Sequence, residues 1–264
     1  MGNYAKTFSS SLGKKLIMSL TGLFLCIFLV VHLIGNLQLF KDDGGQAFNA
    51  YSYFMTHFPP IKIVSYLLYL SIIVHAVYAL IITVNNRKAR PVGYAVFKGN
   101  QNSPWTSRNM GILGTIILIF LVVHMSNFWA QYHWGDLPHA RYEISLTNPQ
   151  DVTVTPIPFQ EYGPQPVHAD YVDAQAGKQV LIAKDLYKIV TESFKQWWYV
   201  LLYVVSMAAL SFHLIHGFRS AFQTLGWDNS KYVPLIRFLG VWVFGVLIPL
   251  AFAAMPVYIF LFAN

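Results

Sequence analysis

Charge is scarce in this chain. Asp, Glu, Lys and Arg together make up 11% of its 264 residues, against about 25% in an ordinary soluble domain, so a conventional water-soluble fold is excluded. Cysteine is almost absent: Cys26 stands alone, and no intramolecular disulfide can form. No internal repeat of the kind that builds inverted-repeat transporters is found. What fills the sequence instead is apolar, at 55% hydrophobic and 16% aromatic.

The apolar residues gather in five uncharged runs, Leu16–Phe40, Ile63–Asn86, Asn109–Gly135, Gln196–Phe218 and Phe238–Asn264. Each exceeds the roughly 20 residues that a helix needs to cross a bilayer. The reading is an all-α integral membrane protein: one domain over residues 1–264, five transmembrane helices in a bundle, and a long extramembrane loop between spans three and four. A signal peptide is not expected, because the first run is too long and no small-residue cleavage site follows it. The net charge of +7 points to topology and not to nucleic acid. Lys6, Lys14, Lys15, Arg87, Lys88, Arg90, Lys98, Arg108, Arg219, Lys231 and Arg237 all fall on one side of a five-span arrangement, with only Asp228 against them. Positive charge marks the cytoplasmic face, which puts the N-terminus inside and the C-terminus outside. The same basic face could also dock a partner subunit.

Between the spans, Lys41-Asp42-Asp43-Gly44-Gly45 opens an outer loop in which Phe48, Tyr51, Met55 and Phe58 recur at three-to-four spacing. That spacing predicts a short helix lying on the outer membrane surface. Pro59-Pro60 ends it and starts the second span. The inner loop Arg87–Arg108 is basic and punctuated by Gly and Pro, as a solvated turn should be. Residues 134–195 read as a small outer-face cap with six prolines, a strand signal at Val152-Thr153-Val154-Thr155, and an amphipathic stretch carrying Leu186, Ile189, Val190 and Phe194. Its apolar content is too low for an independent core.

Four histidines stand singly in four of the five runs: His32, His75, His124 and His213. An imidazole at membrane depth is costly unless something satisfies it. Counting from the inner charges, His32 lies 17 residues beyond Lys15 and His124 lies 16 beyond Arg108, both roughly 25 Å deep at the helical rise. His75 is 12 residues before Arg87 and His213 is 6 before Arg219, roughly 18 and 9 Å deep. Depth matching therefore gives an outer pair, His32 with His124, and an inner pair, His75 with His213. Two facing imidazole pairs in a helical bundle are what two b-type haems require as axial ligands of their iron. No Cys-x-x-Cys-His run occurs, so haem would be held by coordination and packing alone. Small residues flank the inner pair four positions away, Ser71 and Ala79 around His75, Ala209 and Gly217 around His213. His216 competes with His213, and also suits a propionate or a solvated interface. His133, His139 and His168 read as ordinary surface histidines.

The pattern resembles the dihaem cytochrome b membrane anchor of succinate:quinone oxidoreductases, that is succinate dehydrogenase and fumarate reductase. The resemblance is carried by Val31-His32-Leu33-Ile34-Gly35-Asn36, by His75-Ala76-Val77-Tyr78, by Val123-His124, and by Phe212-His213-Leu214-Ile215-His216-Gly217 with Ser220-Ala221-Phe222-Gln223. It covers the five spans and their order but not the loop 134–195. It implies that His32, His75, His124 and His213 are the axial ligands. It also implies that an FAD-carrying flavoprotein and an iron–sulfur subunit dock on the cytoplasmic face. Succinate or fumarate would react on that partner flavoprotein, while this chain passes electrons through two haems b to a membrane quinone, commonly menaquinone in this class. The setting is then the cytoplasmic membrane of a bacterium. Lys15, Arg108 and Arg219 are candidates to meet the inner haem's propionates. No Asp or Glu lies within the five runs, so no intramembrane carboxylate is available to carry a compensating proton.

If electrons enter from the cytoplasmic side, the quinone site lies near the outer surface. Asn36, His57 and Trp129 are the candidates there, and His57 is the one whose side-chain type suits proton exchange with a quinol. Two alternatives stay open: a cytochrome b subunit of a hydrogenase or formate dehydrogenase, and a haem-free proton-coupled transporter.

Overall fold

A computed structural model describes residues 10–89, 91–92, 99–162 and 168–262. Lys6, Arg90 and Lys98 of the basic set, the last two residues of the fifth run, and residues 163–167 of the cap lie outside the described residues. Five helices are long and apolar enough to cross a membrane: Ser11–Phe40, Pro59–Lys88, Met110–Trp134, Trp197–Thr224 and Val233–Phe262. The chain is a mostly helical, multi-pass membrane protein. Four of the five helices outrun their uncharged runs at one or both ends, and the third lies within its run. The second, at 30 residues, is about 45 Å long, so its ends at Pro59 and Lys88 reach beyond a hydrocarbon core of about 30 Å.

The all-α expectation needs one correction. Residues 139–184 hold a four-stranded antiparallel sheet in the order β2-β1-β4-β3, with β1 His139–Ser145, β2 Val152–Ile157, β3 Ala169–Asp173 and β4 Lys178–Lys184. β1 lies between its neighbours, with His139 opposite both Ile157 and Lys184. The sheet is stable without a large core of its own because another segment completes it. Ala140, Tyr142 and Leu181 pack together with Ala50 of the helix Gln46–His57.

Contacts divide the chain into two compact units. The first comprises Met1–Val31, Val64–Phe120 and Leu202–Ala254. Its core is Cys26, Leu214, Phe218 and Ile236, with Leu23, Leu210, Phe222 and Phe244 packed around it. The fifth span makes wide π-helical turns over Leu239–Leu247. Such turns disturb the regular i→i+4 ladder, and Ser211 of the fourth span donates a hydrogen bond to the Gly245 carbonyl there.

The second unit comprises His32–Ile63, Leu121–Leu201 and Met255–Asn264. The helix Gln46–His57 buries Phe48 and Asn49 and packs on the sheet through Ala50, so it is not simply a helix resting on lipid. Its start is fixed by Asp43, whose carboxylate accepts from the Gly45 and Ala47 amides at 2.9 and 3.1 Å. Gly45 has φ 89°, and a Cβ there would stand 2.3 Å from Tyr187, so only glycine fits. Asn49 joins helix, sheet and cap helix. Its amide donates to the Tyr142 hydroxyl at 2.7 Å and to Asp185 at 2.9 Å, and its carbonyl accepts from the Tyr187 amide at 2.9 Å. Asp185 also caps the amphipathic helix Leu186–Phe194 by accepting from the Lys188 amide. That helix buries Val190 and Phe194, the face expected from its sequence. The third span ends against the cap, where the Lys184 ammonium donates to the Tyr132 carbonyl at 2.7 Å. Just after His124 this span makes a π-helical turn, Met125–Ala130.

Candidate functional site

The structure brings together the same two histidine pairs that depth matching selects, and each pair lies within one unit. In the first unit, His75 and His213 face one another with ring centroids 6.3 Å apart and planes crossed at 64°. Small residues from two other spans flank them. A Cβ added at Gly22 would stand 3.4 Å from His75 Cε1, and one at Gly114 would stand 3.8 Å from His213 Cε1. Beside Gly217, one turn beyond His213, nothing lies within 4 Å of where a Cβ would be. Thr21 Oγ1 lies 3.1 Å from His75 Nδ1. Among the described residues, the Nδ1 of His213 is buried without a hydrogen-bond partner.

In the second unit, His32 and His124 have centroids 5.8 Å apart and planes at 89°. Phe128 meets His124 edge-on at 5.4 Å, and packs in turn on Phe194 and Tyr199. Asn127 of the π-helical turn donates to the Tyr199 hydroxyl at 2.9 Å. Third span, cap helix and fourth span therefore converge on the His124 side of this pair.

Both pairs fit one metal held between two imidazoles. An imidazole nitrogen binds a transition metal at about 2.0 Å and stands about 1 Å from the centre of its own ring, so two rings on one metal have centroids about 6 Å apart. The observed 5.8 and 6.3 Å match that separation. Among the described residues, no group of three or more His, Cys, Asp or Glu is placed to hold a bare ion. Two imidazoles are the number of donors that a macrocycle bringing its own nitrogens takes from protein. The glycines beside His75 and His213 keep large side chains away from the rings' flanks.

The remaining candidates divide between the units. Lys15, Arg108, Arg219 and His216 belong to the first unit, with His75 and His213. Lys15 and Arg219 are exposed and His216 is half-buried. Arg108 donates to the Ser103 carbonyl. Asn36, His57 and Trp129 belong to the second unit, with His32 and His124. Each contacts a different set of neighbours. The Asn36 amide donates to the His32 carbonyl at 2.8 Å. His57 is exposed, stacks on Tyr53 at 4.0 Å, and its Nδ1 donates to the Tyr53 carbonyl at 2.9 Å. Trp129 packs on His133 and Trp134.

Two of the histidines read as ordinary surface groups are not. His139 is 1% exposed, because it opens the strand flanked on both sides. Burial first, and then the Lys184 charge, hold its pKa below the usual histidine range, with Asp185 opposing them. His168 is half-buried and stacks on the face of Tyr53 at 3.4 Å. Its pKa is also lowered, chiefly by burial. His133 is exposed, as expected.

The chain matches no protein-family model, and no curated protein or solved structure is significantly similar to it. Geometry alone must carry the function.

Sequence reasoning missed Thr21, Gly22 and Gly114, which come from spans other than those of the histidines they face. A signal was there to be used. Gly22 lies 7 residues beyond Lys15 and Gly114 lies 6 beyond Arg108, the same depth from the inner charges as His213.

Proposed function

We propose that this protein is the dihaem cytochrome b anchor of a succinate dehydrogenase or fumarate reductase complex, seated in the cytoplasmic membrane of a bacterium. The observation that carries the reading is the pairing of four intramembrane histidines from four spans at the separation of two axial ligands. His75 and His213 would hold one haem b, and His32 and His124 the other. With both axial positions filled by imidazole, such a group supplies one-electron transfer and offers no place for oxygen chemistry.

The chain's own residues then have separable tasks. The histidines fix position, while Gly22 and Gly114 leave room beside the rings. Lys15, Arg108, Arg219 and His216 meet propionates through charge-assisted hydrogen bonds. The basic face binds a flavoprotein subunit carrying FAD and an iron–sulfur subunit, where the dicarboxylate chemistry occurs. Asn36, His57 and Trp129 serve a quinone, expected to be menaquinone, with His57 exchanging protons. The N-terminus lies inside, and the C-terminus and the cap outside.

A reduced-minus-oxidised visible spectrum and haem extraction of the purified protein test this reading. Two non-covalent haems b per chain and co-purification with a flavin-carrying dicarboxylate enzyme are expected. Haem with a hydrogenase or formate dehydrogenase instead would change the partner, and no haem at all would leave a transporter. Protease added to right-side-out vesicles should cut within residues 134–195. Cleavage confined to Arg87–Arg108 would invert the topology.

A further inference from the structure

The two imidazoles of the first unit are held differently. Thr21 Oγ1 lies 2.8 Å from the Ile17 carbonyl and 3.3 Å from the Met18 carbonyl of its own helix. Carbonyls only accept, so the single hydroxyl proton is directed at them, the usual back-bond of a threonine inside a helix. The contact of 3.1 Å between Thr21 Oγ1 and His75 Nδ1 must then run the other way, with Nδ1–H donating to the hydroxyl oxygen. This fixes the tautomer of His75 and leaves Nε2 with its lone pair as the nitrogen able to bind a metal. His213, by contrast, has a buried Nδ1 with no partner among the described residues.

We infer that Thr21 is a positioning residue for the His75–His213 site, orienting His75 and lowering the reduction potential of the haem it binds. The inference rests on the haem reading above. A ligating histidine whose other N–H is hydrogen-bonded is a stronger base, and such outer partners tune both metal affinity and electronics. A more basic ligand favours ferric iron. Without the Thr21 oxygen, the ferrous form gains. The effect should be confined to one haem, because Thr21 and His75 lie in the unit of that pair. The local sequence supports it: Thr21 is followed by Gly22, whose lack of a side chain lets the first span approach the imidazole.

The test is a spectroelectrochemical titration of the haem-loaded protein, wild type against Thr21→Val and Thr21→Ser. Valine keeps the branched shape and removes the oxygen, and serine restores the oxygen. In Thr21→Val one midpoint should rise, the ferrous-to-ferric ratio at fixed potential shifting several-fold and up to about tenfold, where tenfold corresponds to about 59 mV for a one-electron couple. The other midpoint should stay, and Thr21→Ser should return the first toward wild type. Loss of one haem in Thr21→Val with its retention in Thr21→Ser would support the same role, since the hydroxyl alone separates those outcomes. Two haems with both midpoints unmoved in Thr21→Val, or a serine variant behaving as valine does, would overturn the inference and leave the haem reading intact. A wild-type protein without haem would overturn both.

Discussion

The buried amide of Asn49 offers a severe test of the way the cap is held. Its side chain is 1% exposed and makes three hydrogen bonds, to Tyr142, to Asp185 and from the Tyr187 amide. Asn49→Ala deletes all three. Two neutral bonds are worth about 1 kcal/mol each and one to a carboxylate about 1.5–3, so the expected loss is about 3–5 kcal/mol. That is a large share of a typical stability of 5–15 kcal/mol. Asn49→Asp is nearly isosteric but sets a second carboxylate where the amide now stands 2.9 Å from Asp185. At an effective dielectric of about 20 two charges at that separation repel by about 6 kcal/mol, so one of them must take a proton. The aspartate variant should therefore be at least as damaging as alanine at neutral pH. The assay is the rate of proteolysis within the cap in detergent at fixed temperature. When opening is fast relative to cleavage, that rate follows the open population. A loss of 3–5 kcal/mol raises the population by roughly two to three decades or more. A change of less than threefold in both variants would refute the claim that Asn49 ties helix, sheet and cap helix together.

Other outcomes follow from the same geometry. Gly22→Ala should be tolerated, since its methyl would meet His75 Cε1 at 3.4 Å, whereas Gly22→Leu should displace the ring and reduce the haem content from two to one, read by haem extraction. His57→Ala should change stability by no more than about 0.5 kcal/mol, as an exposed residue bonded within its own helix. With both haems kept, succinate should still reduce them while quinone turnover falls; unchanged quinone kinetics would remove His57 from the mechanism. The cap should weaken in mild acid. His139 and His168 have pKa values lowered in the fold, so below the ordinary value of 6.5 the unfolded chain binds more protons and stability falls with pH. Glu143, whose pKa is lowered by Lys178 and Arg141, adds a loss of the same sign nearer pH 4. Cap proteolysis that is flat between pH 7.5 and 5 would count against this.

The spans were legible because nothing but a membrane helix explains so long a run without charge. Their ends were not, since helices continue through residues such as Lys62 and Lys88 whose long stems bury while their charges stay in water. The pairing of histidines could be obtained from depth, because both partners are measured from the same row of inner charges. Their surroundings could not, because spacing along one helix identifies its own face and says nothing about which neighbour turns toward it. Gly217, four residues from His213, was the small residue selected by that logic, while Gly22 and Gly114 are the ones that approach the rings. The sheet was hidden for a different reason. β1 and β2 both alternate, β1 through Ala140, Tyr142 and Ile144, but β4 buries the adjacent residues Val180 and Leu181, and part of the core is contributed by Ala50, almost ninety residues before β1.

The π-helical turn Met125–Ala130 gives the third span two independently adjustable halves. Upstream of it, the rotation of the helix is set by where His124 must face. Downstream, it is set by Tyr132, whose ring is buried, whose hydroxyl meets Thr56 and whose carbonyl receives Lys184. A turn of this kind holds about one residue more than an α-helical turn, and one residue corresponds to about 100° of rotation. Deleting a single residue between Met125 and Ala130 would thus leave His124 facing His32 while swinging the cap's seat about a quarter of a turn away. Length change at this one place acts as a rotary joint, through which the cap can be refitted to the third span with the register of His124 left untouched.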